Sequence, residues 1–338
     1  MMMSKPGLLM VLMLPVYVSA EIVLDGTQGG TAGQSVGLQS NTYQLDADTM
    51  ANTTSGSNAF FSFSTFNVES GNTANFTASS SYDNVLARVT GGNASMINGN
   101  ITTDIPGANV WLINPSGVLF GAGASVDLAG SFHVSSADYI LMPGGMQYHT
   151  DTSKPFVAVA GNPQGLGFES TSAATRGDIV LLDASVSVGS AESITLAGAN
   201  VVVDGSALDA RNGQVQLLSI TSSGEVIYSD NVIQSATAGE LGDVRSKSSV
   251  LLGNVTVIGD DVQSVAIDDH AIVADKPATP ETLKMAKAEA ACLPKVFVGG
   301  APLEFEVHEK EEGTHYFVRL SSRSGKANID KLQECTQP

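Results

Sequence analysis

Between Glu21 and about Ala271 the chain alternates short apolar runs with turn residues. Examples are Ile179–Leu182, Val186–Val188, Ile194–Leu196, Val201–Val203, Val215–Leu218 and Val255–Ile258. Each is β-branched, three to five residues long and bounded by Gly, Asn, Asp or Ser, the signature of short strands. No amphipathic helix of twelve or more residues fits this region, so it reads as all-β. The spacing is ragged: Ile179 to Ile194 is 15 residues and Ile194 to Val215 is 21. Many short strands with Gly, Asn and Ser between them favour a parallel β-helix over a sandwich, because each coil of a solenoid buries its inward side chains on the next. The sharpest passage is Ala108–Phe132, where Val110–Ile113 and Val118–Phe120 enclose the polar turn Asn114-Pro115-Ser116-Gly117. Pro115 pre-sets a turn dihedral, Asn114 can cap the turn through its side chain, and Gly117 is permissive at its exit. Val110, Leu112, Val118 and Phe120 are expected to point inward.

The texture changes after Ala271. Thr279, Pro280 and Glu281 make a helix start, and Glu281–Ala291 reads as a short helix. Leu303–Val307 and Tyr316–Leu320 alternate cleanly around Glu309–Gly313, as a β-hairpin does. Cys292 and Cys335 bracket that hairpin with 42 residues between them. We therefore expect a β-helix over 21–271, a linker with a short helix over 272–291, and a small C-terminal α+β disulfide module over 292–338. Closing such a loop stabilises by roughly 3–4 kcal/mol through loop-closure entropy.

The first twenty residues carry one charge, Lys5, before the apolar run Gly7–Val18 and the small residues Ser19-Ala20. This reads as a secretory signal peptide over 1–20, cleaved after Ala20. No later stretch is apolar enough to cross a membrane as a helix. An oxidising destination in turn favours a disulfide between the two cysteines.

Charge narrows the partners. Lys plus Arg total 16 against 34 for Asp plus Glu, a formal net charge of −18. Nucleic acid and anionic lipid are disfavoured as partners. A β-helical polysaccharide lyase would need a clustered base and a positive cleft. The basic residues of the strand region (Arg88, Lys154, Arg176, Arg211, Arg245, Lys247) are scattered. Asp260-Asp261 and Asp268-Asp269 would suit calcium only if stacked on adjacent coils. The five histidines, His133, His149, His270, His308 and His315, show no His-x-x-x-His spacing, and His308 with His315 reads best as part of a solvated hairpin. We assign no catalytic, cofactor-binding or metal residue, and expect no enzyme activity and no cofactor.

Several ordered stretches resemble one family. They are Ser57–Phe76 (SNAFFSFSTFNVESGNTANF), Ala87–Ile101 (ARVTGGNASMINGNI), Ala108–Asp138 with its Asn-Pro-x-Gly and Gly-Ser-Phe-x-x-Ser-x-Ala-Asp motifs, and Gly177–Val226. Together they resemble the two-partner secretion domain of filamentous haemagglutinin-like exoproteins of Gram-negative bacteria. The resemblance covers about Ile22 to Val226. Two departures stand out: Ser116 replaces the usual second Asn of the motif, and an earlier Asn-Pro-Asn-Leu motif has no counterpart. The resemblance implies a right-handed parallel β-helix, a pectin-lyase-like solenoid, with a capped N-terminus. It implies a secretion motif at Asn114, Pro115, Ser116 and Gly117. It also implies export across the outer membrane by a dedicated partner β-barrel transporter with periplasmic peptide-binding domains. The expected product is a secreted or surface-retained adhesin or matrix component with a host-cell or matrix glycan or protein receptor. The alternatives are a β-helical glycan-active enzyme and a secretion domain with no activity of its own. In some relatives a C-terminal disulfide loop holds the fibre on the cell, and Cys292–Cys335 is expected to act similarly.

Overall fold

The computed structural model describes residues 21–54, 56–169, 176–247 and 249–263, and beyond these the backbone strands at 267–277, 297–298, 301–302, 304–309 and 315–321. The signal peptide, the helix at 281–291 and both cysteines lie outside the described residues.

Three parallel stacks of short strands make a β-helix. The first contains Asn58–Phe66, Asn84–Val89, Asn109–Ile113, Phe132–Ser135, Ser193–Gly198 and residues 214–219 and 254–258. The second contains Ser95–Ile97, Val118–Phe120, Ile179–Leu182, Val201–Asp204, Asp243–Lys247 and Asp261–Gln263. The third runs from Thr42–Asp46 through Thr73–Thr77, Asn100–Thr103, Ser125–Asp127 and Ser185–Ser187 to residues 207–209 and 250–252 and the strand Ile267–Pro277. The chain visits the stacks in turn, once per coil.

That frame explains the ragged spacing. Ile179 and Ile194 belong to different stacks. The true coil partners are Ile179 with Val201 and Ile194 with Val215, 22 and 21 residues apart. Earlier coils run Ala59, Val85, Val110 and Phe132 in register. These residues, with Phe61, Ala87, Leu112, Val134, Leu196 and Leu217, fill the bore. All four residues expected to point inward around the turn, Val110, Leu112, Val118 and Phe120, are buried in this core. Each such side chain contributes about 1.5–3 kcal/mol of burial.

The first end is capped. Ile22–Leu24 and Ala51–Thr54 pair antiparallel with Asn58–Phe66, and Ala47–Met50 is the one α-helix among the described residues. Phe61, Phe63, Phe66 and Phe76 pack ring to ring beneath this cap.

Two excursions leave the coil between the first and second stacks. One carries Tyr139–Met142, Met146–His149 and Gly165–Phe168, and the other is the hairpin Gly224–Ser229 and Val232–Ala238. The hairpin turns through Asp230 and Asn231, both at positive φ, as a tight two-residue loop requires. The excursions join into one five-stranded antiparallel sheet. It covers the outward side of the first stack, where Phe60, Leu86, Trp111, Ile113, Ala197 and Leu218 form a second core with Ile140, Tyr148 and Val226.

At the other end, Glu304–Glu309 and His315–Ser321 pair antiparallel, and His315–Ser321 also pairs antiparallel with Ile267–Pro277. The expected hairpin is thus present as backbone. Its partner strand runs through residues 271 and 272, where the sequence changes texture. His308 stands opposite Phe317 and His315 opposite Pro277, so the two histidines do not face one another. Asp261 lies in the second stack and Asp268 and Asp269 in the third, so the two acid pairs do not stack on adjacent coils.

Candidate functional site

The turn Asn114-Pro115-Ser116-Gly117 is the corner between Asn109–Ile113 and Val118–Phe120. Gly117 N–H donates to Asn114 O at 2.8 Å and closes the turn. Ser116 N–H donates to Asn114 Oδ1 at 3.0 Å, so Asn114 caps the turn as expected. Its Nδ2 donates to Asn93 O at 2.9 Å and to Ser95 Oγ at 3.0 Å on the preceding coil. Asn114 is 1% exposed with its side-chain donors and acceptor engaged, while Pro115 and Ser116 are half-buried. Gly117 has φ +95°, and a Cβ there would lie 2.6 Å from Asp178 O. A Cβ on Gly177 would fall 2.1 Å from Gly117 N. The coils touch backbone to backbone at this corner, and only glycine fits.

The corner also spans the first excursion. The coil above departs after Ser135 and returns at Gly177. Asn114 N–H donates to Ser135 O at 2.9 Å on the departing side. On the returning side Gly177 N–H donates to Pro115 O at 2.8 Å, and Val118 N–H to Asp178 O at 3.0 Å. The motif therefore aligns the two ends of a coil that is interrupted by some forty residues of chain.

The Gly-Ser-Phe-x-x-Ser-x-Ala-Asp passage has a matching account. A Cβ on Gly130 would meet Ala108 O at 2.4 Å. Ser131 N–H donates to Asn109 Oδ1, and Ser131 Oγ donates to Glu192 and accepts from Ser193 N–H. Phe132 fills the bore, Ser135 Oγ accepts from Ala137 N–H, and Asp138 stands 3.8 Å from Arg176 at the base of the excursion. Arg176 Nη1 reaches the carbonyls of Ile220 and Ser222, which ties the excursion to the neighbouring coil.

Sequence reasoning missed three arrangements. The first is an amide ladder: Asn109 Nδ2 donates to Asn84 Oδ1, and Asn84 Nδ2 to Asn58 Oδ1. Asn58 in turn holds Val159 O and Gly161 O of the excursion. The regular spacing of Asn58, Asn84 and Asn109 is its trace in the sequence. The second is Arg88, 2% exposed, which joins three segments. It donates to Ser62 Oγ at 2.7 Å, to Thr27 Oγ1 at 2.8 Å and to His149 O, and lies 4.6 Å over the Tyr148 ring. Asp25 accepts from Ser62 and Thr90 at its edge. Burial raises the Asp25 pKa, but hydrogen bonds from Ser62, Thr27 and Thr90 outweigh it and hold the carboxyl below its ordinary value. The third is His133, fully buried and stacked on Trp111 with ring centroids 3.8 Å apart. Its Nδ1 lies 3.0 Å from Thr195 Oγ1. Burial pushes its pKa down to about 3, against a smaller opposing effect of Asn231.

Among the described residues no group of three His, Cys, Asp or Glu is placed to hold a metal ion. Asn114, Pro115, Ser116 and Gly117 supply turn geometry and hydrogen bonds to the backbone of adjacent coils. What the fold defines is a capped parallel β-helix whose corner motifs set coil register. The chain matches the TPS secretion domain family over residues 20–269 and belongs to that family. It is 29% identical over 164 residues to the heme/hemopexin-binding protein of Haemophilus influenzae, a match covering 45% of this chain and 16% of that protein. The secretion domain of HMW1 from Haemophilus influenzae is a solved structure similar to it, at 20% identity and a TM-score of 0.46, covering 70% of this chain and 55% of that one. The chain thus spans about a sixth of the length of the first relative and about half of the second.

Proposed function

We propose that this chain directs its own export: a signal peptide at 1–20 takes it into the periplasm, and a dedicated outer-membrane β-barrel with periplasmic peptide-binding domains carries it outward. The secretion signal in this reading is the segment Ser57–Asp138, centred on Asn114, Pro115, Ser116 and Gly117. The burial of Asn114 carries it: the folded domain hides this side chain, so a partner that reads it meets it only on the unfolded chain. An extended segment can add as a strand to the edge of a partner's sheet. Coils then close outside, one on another, and sequential closure biases movement outward. The exported product is an adhesin or matrix component at the cell surface or in the medium, and a Cys292–Cys335 loop fits retention at the surface.

The test is secretion of Asn114→Ala and of a chain lacking Ser57–Asp138, each expressed with a partner transporter. The deletion should reach the periplasm and stop there. The Asn114→Ala chain should refold in vitro yet be exported several-fold less. Undiminished secretion of the deletion would overturn the reading.

A further inference from the structure

We infer that the outward side of the second stack is a docking surface for an extended segment of another protein, apolar along its length and flanked by lysine or arginine. The three-residue strands Ser95–Ile97 and Val118–Phe120 each present one outward side chain, and the longer strands Ile179–Leu182 and Val201–Asp204 present two. In register the first of these are Met96, Leu119, Val180 and Val202, an unbroken apolar row. Met96 is 40% exposed and the adjoining Leu182 39%. The three faces differ in a way that points to an occupant. The first stack presents Phe60, Leu86 and Trp111 outward, and the protein covers them with its own antiparallel sheet. The third presents polar rungs, Asn75, Thr102, Asp127 and Ser187, and needs no cover. The second is apolar, and none of the excursion strands crosses it among the described residues.

Size and charge select the occupant. Four rungs at about 4.8 Å spacing make a row about 14 Å long and one side chain wide. That is on the order of 100 Å², far below the ~800 Å² per partner of a stable interface, so a second copy is not held here. A copy would also bring a net charge of −18 to a surface that is itself acidic. Asp178 and Asp183 flank the Val180 rung, and both are exposed. Asp204 follows at the Val202 rung. Arg245 and Lys247 lie on the next strand, Arg245 paired with Asp243 at 2.6 Å. Cations of the occupant therefore sit over Asp178 and Asp183, and Arg245 and Lys247 end the favourable stretch just past Val202.

The test uses the full chain from residue 21 and a labelled ten-residue peptide of six valines with two lysines at each end, read by fluorescence anisotropy. Serine–lysine and valine–glutamate peptides are the comparisons. Weak binding of the valine–lysine peptide is expected, at least fivefold tighter than either comparison and weakened severalfold by 0.5 M salt, on the order of the screening there. The double variant Leu119→Ser, Val180→Ser should lose it at least fivefold, and Ser187→Ala on the third face should not. Both variants change outward positions, and an unaltered urea midpoint verifies folding. Equal binding of the serine–lysine peptide, or no loss in the double variant, overturns the inference. So does a concentration-dependent dimer in sedimentation that the double variant abolishes, because the occupant is then a second copy.

Discussion

Protonation of His133 is a direct measure of how tightly the excursion sheet seals the first stack. The imidazole sits between Trp111 and Tyr228 with no exposed surface to speak of. Its ordinary pKa is 6.5 and in the folded chain it falls to about 3. The folded state therefore refuses a proton that the unfolded state accepts. Stability on this account is complete above pH 6.5 and declines as pH falls below it, levelling only near 3. Each pH unit in that window costs about 1.4 kcal/mol, so acidification from 6.5 to 4.5 removes about 3 kcal/mol. His133→Phe keeps the stacked ring and removes the titration. It also loses the contact with Thr195 Oγ1, a pH-independent cost of about 1 kcal/mol. Urea unfolding followed by the fluorescence of Trp111, the single tryptophan, gives both stabilities across pH. Carboxylate titrations are common to both proteins and cancel in the difference. The variant should start less stable at pH 7 and become the more stable of the two by pH 4.5. Parallel curves would refute the burial argument, because they would mean that His133 takes up its proton equally in both states.

Two further outcomes follow from the corner and from the Arg88 junction. Gly177→Ala places a Cβ 2.1 Å from Gly117 N, a backbone contact that cannot yield cheaply, and should lower stability by about 2–4 kcal/mol in the same urea assay, whereas Gly123→Ala, strained by its φ of +82° but free of any clash, should cost about 1–2 kcal/mol. Arg88→Met leaves Ser62, Thr27 and His149 O without their donor, so amide exchange of Met146–His149 and of residues 22–27 should accelerate together, while exchange in the bore strands 194–197 stays slow.

The bore was legible because its pattern is local. Val110, Leu112, Val118 and Phe120 alternate within a few residues, and the strands they predict are the strands that form. The turn chemistry was equally readable, since Asn114 bonds within its own turn. The excursions were not. Trp111 and Phe60 look like any other apolar strand residues, yet they face outward onto a covering sheet, where Trp111 meets Tyr228 and Phe60 meets Tyr148, each about a hundred positions further along the chain. Nothing local tells an inward phenylalanine from an outward one that is covered later. Arg88 failed for the same reason: its three partners lie 26 to 61 residues away, and a lone arginine between apolar neighbours reads as a strand edge. The repeat length was hidden by counting neighbours in sequence across stacks in place of neighbours in register.

Both excursions leave the coil at one corner and return to it, and the rungs below and above still meet: Phe132 finds Ile194 and Leu218 finds Ile258 across long detours. The protein thereby divides labour within a single repeat. The corners from the second stack to the third and from the third to the first are short in every described coil, whereas the corner from the first to the second is tight at Asn114–Gly117 and long after Ser135 and Ser219. A lineage can lengthen, shorten or replace what emerges there and remodel one outer face without disturbing a single position of the bore.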